Sequence, residues 1–324
     1  MGSGVSSPRG VSRTQPRPAH GLPTRDGVGA SCVGLPIGPW ATILDFLVER
    51  FPSQGGDVWQ KRMQRGEVVD EHGAPVSALR RFQAPLRVYY YREVADEVPI
   101  PFEAAILFRD DHLVVIDKPH FLPVTPSGNY LQHTALVRLK RSLGLDDLVP
   151  IHRIDRDTAG VVLFSVQPAS RDCYQALFRT HRVDKLYEAI APWRSDLQLP
   201  LVRRSRLGVS AHFMQQCEID GTPNTCTEIS LLELRGSLAR YQLRPGTGHR
   251  HQLRVHMAAL GIPILHDGIY PVLTAEGSMD TTRPLQLLAK AIAFDDPIAG
   301  IRRSFVSRRQ LCFSTFPGAS EPAT

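Results

Sequence analysis

Between Ile151 and Val166 the chain reads Ile-His-Arg-Ile-Asp-Arg-Asp-Thr-Ala-Gly-Val-Val-Leu-Phe-Ser-Val. Two carboxylates, Asp155 and Asp157, are interleaved there with Arg153 and Arg156. A guanidinium beside a carboxylate favours its charged form, and a carboxylate held by short strands can be aimed with little slack. That combination suits a catalytic carboxylate, although a solvated charged turn has the same composition. A second group, His249, His251 and His256, offers ring nitrogens. Its spacing is not the His-x-x-x-His that aligns two ligands on one helical face. No Cys or acidic residue lies close to it in sequence, so no metal site is expected.

The elements around the charged loop follow from periodicity. Leu148, Val149 and Ile151 lead into it, Gly160 closes it, and Val161–Phe164 reads as a buried strand. Upstream, Ala105–Arg109 and His112–Asp117 form a hairpin-like pair around Asp110-Asp111. Pro119, Pro123 and Pro126 then exclude a helix and favour an extended path. Helices are expected at 133–143, with Gly144 just past the end, and at 170–180. Strands are expected at 186–191, 227–234 and 238–244, and a helix ending at Gly261 buries Leu253, Met257 and Leu260. Many strands, few helices and no regular alternation make this an α+β chain.

Residues 1–35 are rich in Gly, Ser, Pro and Arg and read as a disordered leader. Residues 36–97 read as a small module. In it Ile43, Phe46 and Leu47 recur at helical spacing up to Phe51-Pro52, a short helix follows from Trp59, and Gly66–Gly73 is a strand entering a turn. Arg80, Arg81, Arg87 and Arg92 with Tyr89, Tyr90 and Tyr91 either touch RNA or form a strand whose alternate tyrosines are half-buried.

The nonapeptide His152–Gly160 resembles the signature loop of the RNA pseudouridine synthases of the RluA type, within the RluA/RsuA superfamily. Further blocks follow in that family's order: Lys185-Leu186-Tyr187-Glu188-Ala189, Gly246–His256, Gly261–Tyr270 and Pro284–Ala289. The likeness covers roughly residues 99–316. It implies a long mixed, mostly antiparallel sheet with flanking helices and a central active-site cleft, as a catalytic domain over residues 98–318 with a tail at 319–324. The helices and Gly-punctuated strand of 36–97 resemble a degenerate S4-type RNA-binding module.

By the same resemblance Asp155 is the nucleophile, Tyr187 lies against the flipped uracil, and Arg254 partners Asp155. Arg153 fills the space that the base vacates, and His152, Arg156, His251, Gln252 and Leu287 line the substrate site. The reaction breaks the C1′–N1 bond, turns the base and joins C5 to C1′, and it needs neither metal nor other cofactor. His249 stands where the family usually has Arg, which puts a phosphate contact in question. His266 replaces a small Gly and would crowd the turn at Asp267. The expected partner is a ribosomal or transfer-RNA stem-loop, with no obligate protein partner and a monomeric chain. A non-catalytic RNA-binding protein or RNA chaperone retaining the fold is the alternative, and the presence of Asp155, Tyr187 and Arg254 together argues against it.

Composition agrees with an anionic partner. The net charge is +6 and the pI is about 9.2; 33 of the 38 basic residues are Arg, which suits phosphate contacts and base stacking and equally fits a GC-rich genome. The five cysteines show no CxxC spacing, which favours a reducing compartment, the cytoplasm, over a disulfide or zinc framework. No run of about 18 apolar residues suggests a membrane span.

Overall fold

The charged loop feeds a strand, Ala159–Ser165, that is buried along its whole length. This was seen in a computed structural model that describes residues 22, 24–94, 97–274 and 280–313. Two units divide at residues 95/96.

The first unit runs β1 (Ser31–Leu35), α1 (Ile43–Arg50), α2 (Gly56–Gln64), β2 (Val68–Asp70) and β3 (Leu86–Tyr90). Thr42 starts α1 with a capping box: its hydroxyl accepts from Asp45 N, and the Asp45 carboxylate accepts from Thr42 N. The three strands pair antiparallel in the order β1-β3-β2 over a core that includes Ile43, Leu47, Trp59, Val68 and Val88. Each such side chain contributes about 1.5–3 kcal/mol on burial. Two expectations are corrected here. The expected leader extends to residue 35, and its residues 1–21 and 23 lie outside the described ones. Ser31–Leu35, however, is a strand paired with β3, and Leu35 is in the core. Its Gly-rich surroundings hide a five-residue apolar edge. Tyr89, Tyr90 and Tyr91 are all buried, not alternately half-buried, because this unit covers both faces of its central strand. The tail at 319–324 also lies outside the described residues.

The second unit carries β4 (Ala105–Arg109), β5 (Leu113–Lys118), α3 (Ala135–Leu143), β6 (Val149–Pro150), β7 (Ala159–Ser165) and α4 (Pro168–Arg179). It continues with β8 (Asp184–Pro192), β9 (Leu201–Val209), β10 (Gln216–Ile219), β11 (Thr225–Arg235) and β12 (Leu238–Pro245). Last come α5 (Gln252–Ala259), β13 (Leu287–Asp295) and β14 (Arg302–Val306). One sheet runs β10-β9-β11-β12-β8-β13-β7-β5-β4, with β14 on β13 and β6 on β7. The pairs are antiparallel except β13 with β7, so the architecture is the mixed, mostly antiparallel α+β sheet. No helix forms between Lys118 and Thr134, as the prolines require. Thr134 caps α3 by accepting from Val137 N, and Gly144 ends it at φ +66.

Helix α5 is not amphipathic. Every residue from Gln252 to Met257 is buried, so it runs inside the unit and not along its surface. Among the described residues no helix is long and apolar enough to cross a membrane.

Gly160 sits where the charged loop enters the sheet, paired with Lys118 on one side and Ala289 on the other. Its φ is +116, and a Cβ there would lie 2.2 Å from the Ala289 carbonyl oxygen. Gly160→Ala should therefore destabilise by roughly 3 kcal/mol or more. Gly144→Ala, at positive φ but with nothing within 4 Å, should cost about 1 kcal/mol. Urea unfolding of the two variants checks the difference, and equal losses would mean that β7 and β13 do not approach so closely.

Candidate active site

A cleft of about 690 Å³ opens on the sheet between the loop 151–158, β8 and the turn that leads into α5. All nine residues expected at the site line it: His152, Arg153, Asp155, Arg156, Tyr187, His251, Gln252, Arg254 and Leu287. Their environments divide them sharply.

Arg254 projects from α5 and is only 2% exposed. Its Nε and Nη2 donate to the two carboxylate oxygens of Asp267 at 2.8 and 2.6 Å, and its Nη1 donates to Asp155 Oδ2 at 3.1 Å. Asp267 is itself held by the Ile269 and Tyr270 amides. The guanidinium thus has one planar fork on a buried carboxylate and one N–H left for the cleft. Burial disfavours the Arg254 cation, but Asp267 and Asp155 reverse this and push its pKa up. Burial likewise drives the Asp155 carboxyl upward, and the Arg254 charge outweighs it, leaving Asp155 below the ordinary carboxylate range. His251 adds little at neutral pH. Its Nε2 is 3.7 Å from Asp155 Oδ1, yet burial lowers its pKa to about 4, so the ring is uncharged. The Asp155 side chain is 28% exposed, which leaves an ionised carboxylate open to the cleft.

Tyr187 stands on β8. Burial and the Asp155 charge raise its pKa, so the phenol is neutral. Arg153 is exposed, with Nη1 3.4 Å from Thr125 Oγ1, while Arg156 lies back on Asp157 at 2.8 Å. Asp157 therefore carries its own cation and lies outside the Arg254 pair.

Three expected residues hold the site together. Gln252 accepts from Thr247 Oγ1 and His249 N, and it donates to Cys226 O and Thr227 Oγ1, so its amide is fully engaged in the turn. His152 accepts from Leu163 N and stacks on Phe178 at 4.7 Å, with its pKa lowered to about 3 by burial. His251 begins α5 at φ +57 and shares a hydrogen bond with the Tyr270 hydroxyl.

The three histidines of the metal alternative diverge. His256 is buried among Ser205, Thr225 and Thr227, His251 meets Tyr270, and His249 faces the cleft. Among the described residues no cluster of His, Cys, Asp or Glu is arranged to hold a metal ion. His266 does not crowd its turn: it takes φ +62 in the place expected for Gly, and Asp267 still receives the Ile269 and Tyr270 amides. Arg250, next to His249, also lines the cleft and donates to Phe213 O and Met214 O.

Two residues of the site were not anticipated. Asp267 was noted only as a turn residue, and 13 positions of separation carry no pairing signal. Lys118, fully buried, donates to Pro119 O, Leu122 O and Arg156 O. A lysine ending the apolar strand β5 was the available sign. Burial lowers its pKa to about 7.

Removing Arg254 would leave Asp267, only 1% exposed, without its countercharge. Arg254→Ala should cost roughly 3–5 kcal/mol in urea unfolding. A loss below about 1 kcal/mol would rank the pair with ordinary surface bridges. The depressed Asp155 carboxyl contributes stability above its unfolded pKa that disappears as pH falls through its lower folded value. In any folded Arg254→Ala protein burial acts on Asp155 without that counterweight, so this acid loss should disappear, and the Asp155 contribution should instead fall as pH rises.

Residues 112–259 match the family model described as RNA pseudouridylate synthase. An uncharacterised RNA pseudouridine synthase of Synechocystis is 30% identical over 234 residues, covering 70% of this chain and 79% of that protein. The dual-specificity RNA pseudouridine synthase RluA of Pasteurella multocida is 33% identical over 205 residues, covering 60% of this chain and 87% of that protein. Several eukaryotic relatives are longer, and the chain spans about a third to a half of them. The solved structure of human RNA pseudouridylate synthase domain containing 1 shares the fold with a TM-score of 0.53 at 20% identity, over 64% of this chain and 84% of that one. With the ordered blocks, the sheet and the cleft in hand, this chain belongs to the RNA pseudouridine synthases of the RluA type.

Proposed function

We propose that this enzyme converts specific uridines of structured ribosomal or transfer RNA to pseudouridine with Asp155 as nucleophile. The observation that carries this is the ion pair of Asp155 with the buried Arg254, 3.1 Å apart in a cleft large enough for a flipped base. Arg254 keeps the carboxylate ionised in surroundings that would otherwise favour its acid form. An ionised carboxylate can trap the nucleotide covalently while the C1′–N1 bond is broken and the base turns, splitting one hard step into two easier ones. Closure forms C1′–C5; C5 then loses its proton and N1, freed from C1′, gains one, so the product is an isomer.

Tyr187 offers a ring face for the uracil. Because its phenol is neutral, a C5 proton reaches its oxygen only if the phenolic proton leaves at the same time. A paired uridine must leave its stack first, and exposed Arg153 is free to take the vacated place. Arg156 and Leu287 complete the walls that the base meets.

Purified protein with uridine-containing stem-loop RNA should form pseudouridine in the presence of EDTA, measured by carbodiimide primer extension. Asp155→Asn should abolish turnover and leave RNA affinity within about tenfold, since phosphate contacts dominate binding. Asp157→Asn, whose parent carboxylate already pairs with Arg156, should retain measurable turnover. Equal loss in the two variants would assign the nucleophile wrongly, and a metal requirement in the chemical step would overturn the scheme.

A further inference from the structure

One cationic corner of the cleft is unused by this chemistry. Lys185 lies on β8 and lines the cleft. Its Nζ donates to Thr247 O at 2.7 Å, in the turn before α5. Among the described residues no carboxylate pairs with it, whereas Arg156, Arg203 and Arg254 each have one. Its titratable neighbours are basic in type and, among the described residues, none is a carboxylate. His152, from the loop 151–158, has its pKa lowered by burial and then by the Lys185 charge. His249, from the turn before α5, is lowered by burial and then by His181, which follows α4. His181 and Arg179 line the same cleft. A half-buried amine with only a carbonyl for company is costly unless something anionic arrives.

Position says which anion. Lys185 and Tyr187 are two residues apart on one strand, so they share a face and lie about 7 Å apart. If uracil rests on Tyr187, the sugar-phosphate of that nucleotide extends within reach of a flexible lysine one strand pleat away. We propose that Lys185, with His249 and His181 beside it, is a phosphate subsite that takes an RNA phosphodiester adjoining the flipped nucleotide. This rests on the base lying against Tyr187 as above. Arg250 lines the same cleft and already directs two N–H groups to Phe213 O and Met214 O.

The subsite has a pH signature. Burial lowers the Lys185 pKa to about 8, and bound phosphate would raise it. Affinity is then complete below the free value and falls as pH rises through it. Asp155 is ionised and Tyr187 neutral throughout this range. Lys118, buried behind the loop, titrates in parent and variants alike and cancels from the comparison.

The test is fluorescence anisotropy with a labelled uridine-loop RNA hairpin, using the full chain with Asp155→Asn to prevent turnover. From pH 7 to pH 9 the affinity of this parent should fall about tenfold, following the protonated fraction of Lys185. Adding Lys185→Gln should weaken binding about tenfold at pH 7, flatten the profile, and lower the salt slope by about 0.7. Lys185→Arg should bind like the parent at pH 7 and keep that affinity at pH 9. Should Lys185→Gln fail to fold by circular dichroism, the flat profile of Lys185→Arg carries the test alone. Variants that keep the parent's pH profile, or a Lys185→Gln protein with the parent's salt slope, would overturn the subsite. Pseudouridine formation by the unmodified chain is measured separately, so failure of the proposed reaction is distinguishable from failure of this inference.

Discussion

One buried guanidinium governs the site. Arg254 could not be placed in an interior at neutral pH without a full countercharge, and Asp267 supplies it through a planar fork. Lys could not do the same, since its compact ammonium offers no matched pair of donors. Because the fork fixes the guanidinium plane, the remaining Nη1–H has one direction, and Asp155 lies along it. The helix that carries Arg254 is buried all round for the same reason: the cation must reach the cleft from behind.

The loop bearing Asp155 is restrained from below in a complementary way. Lys118 gathers three carbonyl oxygens, one of them from Arg156, and the His120 ring shares a hydrogen bond with Asp157 O at 2.7 Å. To bring both side chains under the loop, the backbone turns through Phe121 at φ +67, a conformation that costs of order 1–3 kcal/mol for a residue with a Cβ. Carbonyls pinned from one side turn the two carboxylates to the other, where Arg254 meets Asp155 and Arg156 meets Asp157. Carboxylate direction is thus set by backbone hydrogen bonds, and carboxylate charge by Arg254.

Legibility in the sequence followed the physics of each part. β5 and β7 are continuous apolar runs, and α1 and α3 have side-chain caps, so local rules found them. The hairpin of β11 and β12 was clear from its Gly236-Ser237 turn. β9 was not, because Arg203, Arg204 and Arg206 break its apolar alternation. It is a strand because its backbone pairs with both β10 and β11, and its Arg203 finds a carboxylate in Glu218, contacts that no local pattern announces. β1 was hidden by its Gly-rich context. At the site, Asp155, Tyr187 and Arg254 were legible only through a resemblance spanning ordered blocks. Gln252 and His152 read as substrate residues, while the Gln252 amide is taken up by the turn and His152 Nε2 by β7. Asp267 escaped because a pair formed across a turn leaves no periodic trace.

The parallel pairing of β7 with β13 has a consequence for synthesis. Gly160 meets Ala289, and Asp155 meets Arg254 across 99 positions. On a ribosome the carboxylate emerges long before its cation, and the strand that seats its loop emerges later still. Non-local closure of this kind is slow and comes late. A nascent chain therefore holds the Asp155 loop without its Arg254 partner, and the cleft is complete only after β13 is in place.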